Sequence, residues 1–440
     1  MTDQDWRKLT PSERLNARLD QWTSASGVAF ASPELERAYK DRQEMFRDVI
    51  QLRKIPPRVP MAPQIGHFPI THAGFTVQEA MHDLDKLGQA MNHFHQEFCF
   101  DALASCRMYG PVRVWEILDY KLYRWAGHGL PENSSYQCVE DEYMRGDEYE
   151  LLINDPSDYF LRTYLPRIFG ALNSWQGLSP LTDIQELPFV GTYMVPVGQA
   201  DAQQAFEKLL EAGRAAAEWA QKSAAIDEAS IAAAGVPSLR GGFSKAPFDT
   251  IGDTLRGWRA VMLDKFRQPK RLVEAMERLV PLAIDMGIRA GRRVPTAFIP
   301  LHKGADGFMS DQDFRTLYWP TLKAVIMGLV EQGVIPYLFV EGGYNDRLDV
   351  IADSGIPKGT TLWLFDQTDL KQVRKKFGSW AAFVGNVPVS LFKAGKPADV
   401  SDYVQRLIDD VAGDGGFILS TGAVLDDSTP ENLHALVDAG

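Results

Sequence analysis

Pro295-Thr296-Ala297-Phe298-Ile299-Pro300, Ile335-Pro336-Tyr337-Leu338-Phe339-Val340, Thr361-Leu362-Trp363-Leu364-Phe365, Ala381-Ala382-Phe383-Val384 and Phe417-Ile418-Leu419 decide the fold. Each run has the length and the β-branched or aromatic richness of a buried strand. Each breaks off at a polar or glycine-rich cluster: Leu301-His302-Lys303-Gly304, Glu341-Gly342-Gly343-Tyr344-Asn345, Asp366-Gln367-Thr368-Asp369, Gly385-Asn386-Val387-Pro388 and Ser420-Thr421-Gly422. Helix-forming sequence follows, starting near Asp311, Tyr344, Leu370, Pro397 and Pro430. Strand, polar end and helix in repetition make parallel β/α architecture, and the polar ends are where such a fold keeps its chemistry.

Working outward, 440 residues can hold two or three average domains or one large barrel with additions, and 45% hydrophobic content is ample for a large core. A net charge of -12 argues against nucleic acid or an anionic membrane as the main partner. No apolar run approaches the ~20 residues of a membrane span, and the polar stretch Met1–Asp20 has no secretion-signal pattern. Cys99, Cys106 and Cys138 have neither a CxxC spacing nor an even count, so reduced thiols and a cytoplasmic location are expected.

Residues 1–55 read as an N-terminal helical extension covering one end of a barrel that fills 56–440. Proline-flanked Arg58–Pro63 is extended and makes a first strand. Val77–Phe98 reads as helix, Ala102–Met108 as the second strand, Tyr136–Met144 as the third and Phe189–Val195 as another. Alanine-rich Ala202–Ala234 is a long helix or a pair. Val236–Phe248, with two prolines and Gly241-Gly242, reads as a loop, which makes 202–250 a helical insertion and loop. Asp253–Arg292 returns to helix, with Pro281 a kink or boundary.

Laid out in this way, the chain resembles the uroporphyrinogen decarboxylase superfamily from about Arg58 to its end. Ile55-Pro56-Pro57-Arg58-Val59-Pro60 is similar to that family's opening strand and Gly385-Asn386-Val387-Pro388 to its Gly-Asn strand end. Phe417-Ile418-Leu419-Ser420-Thr421-Gly422 with Thr429-Pro430-Glu431-Asn432-Leu433 is similar to its closing strand and last helix. The resemblance implies a (β/α)8 TIM barrel. Leu15–Phe30 lacks the arginine-rich motif with which the decarboxylase grips its substrate. Phe339-Val340-Glu341 and Ser420-Thr421-Gly422 stand where the coenzyme M methyltransferase branch has its His-x-Cys and final Cys zinc ligands. With Glu341 at a ligand position, the sequence looks more like the branch that removes methyl groups from aryl methyl ethers and passes them to a corrinoid protein.

Glu341 leaves a buried strand before two glycines. It is a zinc ligand, an acid with a raised pKa, or a structural carboxylate paired with Arg347 or Lys303. His302, ending the preceding strand, is a second metal ligand, a general acid, or a core histidine bonded to backbone. Asp366 leaves its strand directly and completes the expected catalytic trio, while Asp369 reads as a helix cap. The expected substrate-binding residues are Asn345, Arg347, Gln367, Asn386 and Thr421 at strand ends, with Glu140, Glu142 and Tyr143. Glu140 and Glu142 are two apart in an expected strand and so share a face. His93 and His95 are discounted as a metal pair because that spacing in a helix divides them between faces.

The expected activity is demethylation of a small, aromatic methoxylated substrate, with Zn2+ at Glu341 and His302 and with cobalamin carried by a separate corrinoid protein. The alternative is a cofactor-independent decarboxylase or C–C lyase that uses Glu341, His302 and Asp366 as acid–base groups. A third class, a catalytically silent ligand-binding barrel, remains open.

Overall fold

The computed structural model describes residues 3–290 and 293–440. Its main sheet has six parallel strands in chain order: β4 (Gly242–Phe243), β5 (Thr296–Leu301), β6 (Ile335–Val340), β7 (Leu362–Phe365), β8 (Ala382–Val387) and β9 (Phe417–Thr421). Two extended segments close the ring. Leu419 N–H donates to Pro60 O and Ala62 N–H to Leu419 O, each at 2.9 Å. Asp101 N–H then donates to Met61 O (3.0 Å), and Leu103 N–H to Pro237 O (2.9 Å). Six strands and two bonded segments, at residues 60–62 and 101–103, make the eight staves of a (β/α)8 barrel.

Strand periodicity decides which residues face where. Ile335, Tyr337 and Phe339 of β6, Leu362 and Leu364 of β7, and Ala382 and Val384 of β8 cluster inside the barrel. Their alternates Leu338, Val340, Trp363, Phe365 and Phe383 pack outward under the surrounding helices. Both faces are buried, which is why these strands read as unbroken apolar runs.

The helices Pro11–Thr23 and Pro33–Ile50 close the end where the strands begin. Thr10 caps the first through a reciprocal bond with Glu13, and Ser32 caps the second. Leu15, Leu19, Trp22, Phe46, Val49 and Ile50 join the interior cluster. Arg14 and Arg18 bond the carbonyls of Glu331 and Gln332 just before β6. At the closing seam the buried Asp101 carboxylate accepts from Met61 N–H (2.9 Å) and Arg42 (3.2 Å) and pairs with Arg58.

Four sequence expectations need correction. Val236–Phe248 is more than a loop: most of it is irregular, but through Gly242–Phe243 it carries the third stave, because Pro237 needs only its carbonyl to bond Leu103, and Gly241 lets the backbone press against Val294 and Thr296. Tyr136–Met144 supplies no stave. Only Gln137–Cys138 (β3) is extended, paired antiparallel with β1 (Tyr123–Ala126) in a small sheet with β2 (Gly129–Leu130), separate from the barrel. Phe189–Val195 falls mostly on a helix, Leu187–Met194, with no buried residue. Ala102–Met108 keeps only its start in the ring and then turns into a short helix, Cys106–Tyr109. Residues 200–234 are one continuous helix.

Candidate functional site

β5 ends at Leu301, and the next two residues are held by one buried carboxylate. Asp249 accepts from His302 N–H (3.1 Å), Lys303 N–H (3.0 Å) and the Tyr318 hydroxyl (2.7 Å). One helical turn later, Asp253 lies on the same face. It takes the Nδ1 side of the His302 ring at 2.6 Å and pairs with Lys245 (3.1 Å) and Lys303 (3.3 Å). The other ring nitrogen, Nε2, lies 3.4 Å from Oε2 of Glu341, at the end of β6.

Burial alone would lower the pKa of His302. The hydrogen bond to Asp253 and the charges of Asp249, Asp253 and Glu341 outweigh it, and the pKa is raised. Burial pushes the Asp253 carboxyl up, but His302, Lys245 and Lys303 together hold it well below the usual carboxylate range. Asp249 moves the other way, raised first by burial and then by the charge of Asp253. The corner thus holds a histidine whose Nδ1 is tied to the Asp253 carboxylate, whose Nε2 faces Glu341, and whose charged form is favoured by its carboxylate neighbours.

The remaining expected residues divide. Asp366 stands beside Glu341, its carboxylate accepting from Gly342 N–H (3.0 Å), and burial raises its pKa. Asn345 and Gln367 line a groove of about 650 Å³ above β7 and β8, and Asn345 also accepts from Asp369 N–H (3.0 Å). Asn386 spends its amide on the carbonyls of Asp366 (3.1 Å) and Thr368 (2.8 Å), which is turn chemistry. Thr421 is fully buried and accepts from Gln64 N–H (3.0 Å). Arg347 is buried away from Glu341, bonded to Gly304 O, Met309 O, Asp306 and Asp311. As a result, neither Arg347 nor Lys303 pairs with Glu341 among the described residues.

Glu140 and Glu142 do not share a barrel face. Glu140 accepts from Trp258 N–H (2.5 Å) at a helix start, and Glu142, mostly exposed, pairs with Arg256 (3.0 Å). Tyr143 bonds Val139 O (3.0 Å) within its own segment. The shared-face expectation fails because the segment is not a strand where those residues lie. His95 is buried against Ala104 O while His93 is exposed, as their spacing requires.

Sequence reasoning missed Asp249, Asp253 and Lys245, and it missed Arg240. The signal was present: with 236–243 as a stave, Ser244-Lys245 becomes a polar strand end, and Asp249 and Asp253 follow where other staves carry theirs. Arg240 faces a cavity of about 740 Å³ lined also by Gln64, Ile65, Phe298 and Tyr337. Its guanidinium is reached by water yet ringed by protein, so enclosure lowers its pKa. It lies 4.2 Å over the Phe298 ring, with no carboxylate partner among the described residues. Tyr136 feels charges from both this cavity and the His302 corner. Burial first, then the charges of Asp426 and Glu341, raise the pKa of its hydroxyl against the pull of Arg240.

A catalytic zinc takes three protein ligands and an open position. Glu341 and His302 offer two donors, with the other ring nitrogen committed to Asp253. Among the described residues, the group of three or more clustered metal-ligating side chains is His72, His93 and Glu97, away from this corner. The mouth pair therefore falls one donor short of the set a catalytic zinc takes.

Residues 232–440 match the family model of uroporphyrinogen decarboxylase (URO-D). No curated protein matches the chain. A solved methyltransferase from Methanosarcina mazei is similar at 15% identity, with a TM-score of 0.55 over 90% of this chain and 96% of that one. At that identity the likeness is one of fold. The stretch that carries staves β4 to β9, His302 and Glu341, residues 232–440, belongs to the uroporphyrinogen decarboxylase superfamily.

Proposed function

We propose that this protein is a methyltransferase that demethylates a small methoxylated aromatic compound in the cytosol and passes the methyl group to a corrinoid on a separate partner protein. The observation that carries the reading is the His302–Asp253 pair, an imidazole tied through Nδ1 to a carboxylate and turned with Nε2 toward Glu341 at the strand ends. The URO-D match and the fold shared with a methyltransferase support it. A reduced corrinoid supplies a nucleophile for the methyl carbon. As the methyl–oxygen bond breaks, its electron pair stays on oxygen, and His302 Nε2–H delivers the proton that lets it leave as a neutral phenol. Asp253 orients the ring and stabilises its charge. Glu341, half exposed beside Nε2, returns the proton from solvent.

The test is turnover of methoxylated aromatic acids with reduced cobalamin as acceptor, followed by phenol release. His302→Gln and Glu341→Gln should each lower kcat by ~10²–10⁴ while the fold, read by circular dichroism, is kept. Near-normal turnover in both variants would move the chemistry elsewhere.

One observation favours a second reading. Arg240 at the cavity wall, with no counter-charge among the described residues, suits an acidic substrate, as in a decarboxylase that breaks a C–C bond, releases CO2 and protonates the carbanion from His302. CO2 release without cobalamin, lost in Arg240→Gln, would select it.

A further inference from the structure

Three of the chain's eight histidines converge on one glutamate outside the barrel. His72 Nε2 lies 2.7 Å from Glu97 Oε2, His93 Nε2 lies 3.4 Å from the same oxygen, and His434 Nε2 lies 3.1 Å from Oε1. They come from separate helices, Phe68–His72, Leu84–Glu97 and Pro430–Ala439, with only His93 and Glu97 one turn apart on the same helix. The donor atoms of His72, His93 and Glu97 all lie within 4.8 Å of one another.

We propose that His72, His93, His434 and Glu97 form a site for a divalent transition metal, zinc being the best suited, that pins the seam where the barrel closes. Three imidazoles and one carboxylate are a complete donor set for tetrahedral zinc. With metal–ligand bonds of about 2.0–2.2 Å, tetrahedral donors stand roughly 3.3 Å apart; of the three histidine–glutamate separations, that of His93 to Oε2 already matches, and His434, on the other oxygen Oε1 and outside the 4.8 Å group, turns in to join. The third opens as an ion replaces the His72–Glu97 hydrogen bond. The rings are held ready by packing: His72 stacks between Phe68 (5.1 Å) and His93 (5.2 Å), and His434 lies 4.7 Å from Phe98. A carboxylate needing only hydrogen bonds has no use for three imidazoles delivered from three elements.

The position gives the metal a task. Residues 60–62 bond β9 at the seam, and the helices bearing His72 and His434 follow those two staves. An ion here ties the first β/α unit to the last, across most of the chain.

The experiment strips the full-length protein with chelator, then titrates zinc chloride by calorimetry and follows Tm. One zinc per chain is expected, with Tm rising with the logarithm of free zinc. His93→Ala removes an exposed ligand and so leaves the core intact, and with His434→Ala it should weaken binding by about 100-fold or more, since even residues behind the ligands are worth 10–100-fold. Glu341→Gln and His302→Gln should bind zinc as the wild type does, which separates this site from the proposed reaction. No zinc binding by the stripped wild type, or full binding in the double variant, overturns the proposal.

Discussion

At the scale of single residues, the corner turns on Asp253. Its carboxylate holds the His302 ring and raises its pKa, so the ion pair adds stability that is fully present below the unfolded histidine value of about 6.5. That contribution is lost as pH rises through the folded value. The depressed carboxyl of Asp253 runs the other way, contributing above the ordinary carboxylate range and losing its share as pH falls through the folded value. Asp253→Asn keeps the shape and removes one of the charges that raise the His302 pKa, so His302 deprotonates earlier. The basic limb of the kcat–pH profile should therefore move to lower pH, and a limb that stays in place would show that His302 is not the titrating acid. His302 and Glu341 were legible because each ends an obvious apolar strand. Asp253 was not, because it lies on the helical turn after a stave whose prolines and glycines disguised it.

Among the elements, burial separates those the fold depends on from those it tolerates. Phe46, on the helix Pro33–Ile50, is fully enclosed in the barrel-interior cluster. Phe46→Ala should cost about 3–5 kcal/mol of stability, read from denaturant unfolding. The helix Leu187–Met194 buries nothing, and Leu187 is 89% exposed, so Leu187→Ser should leave the same midpoint unchanged. Phe189–Val195 invited a strand reading because its β-branched and aromatic content was high. A run of that length cannot be told from a helix by composition, and no neighbouring strand was there to settle it. The true third stave needed Gly241, where an added Cβ would meet Val294 O at 2.0 Å. Only the packed neighbour shows why a residue without a side chain is wanted there.

For the molecule as a whole, we propose that residues 1–55 act as a helical plug for the barrel of 56–440. Their apolar face is part of the same interior cluster as β6, β7 and β8. Deleting residues 1–55 would leave that end of the barrel open to water, so the truncated chain should lose its cooperative unfolding transition and bind a hydrophobic dye such as ANS. A truncated chain that unfolds at the wild-type midpoint would show that the barrel closes without the plug. No helix among the described residues is long and apolar enough to cross a membrane.

The sequence by itself determined the parallel staves from β5 to β9, their order and the polar ends carrying His302, Glu341 and Asp366. Two-sided burial forces continuous apolar runs, and such runs can be read without neighbours. Tertiary structure alone decided where the ring closes and which polar groups meet. Short staves at 60–62, 101–103 and 236–243 carry little apolar signal of their own and exist through the backbone bonds of adjacent strands. The meetings of Asp253 with His302, and of His72 and His434 with Glu97, join residues from 25 to 337 positions apart. No local pattern encodes such distances; the closing of the barrel brings them together.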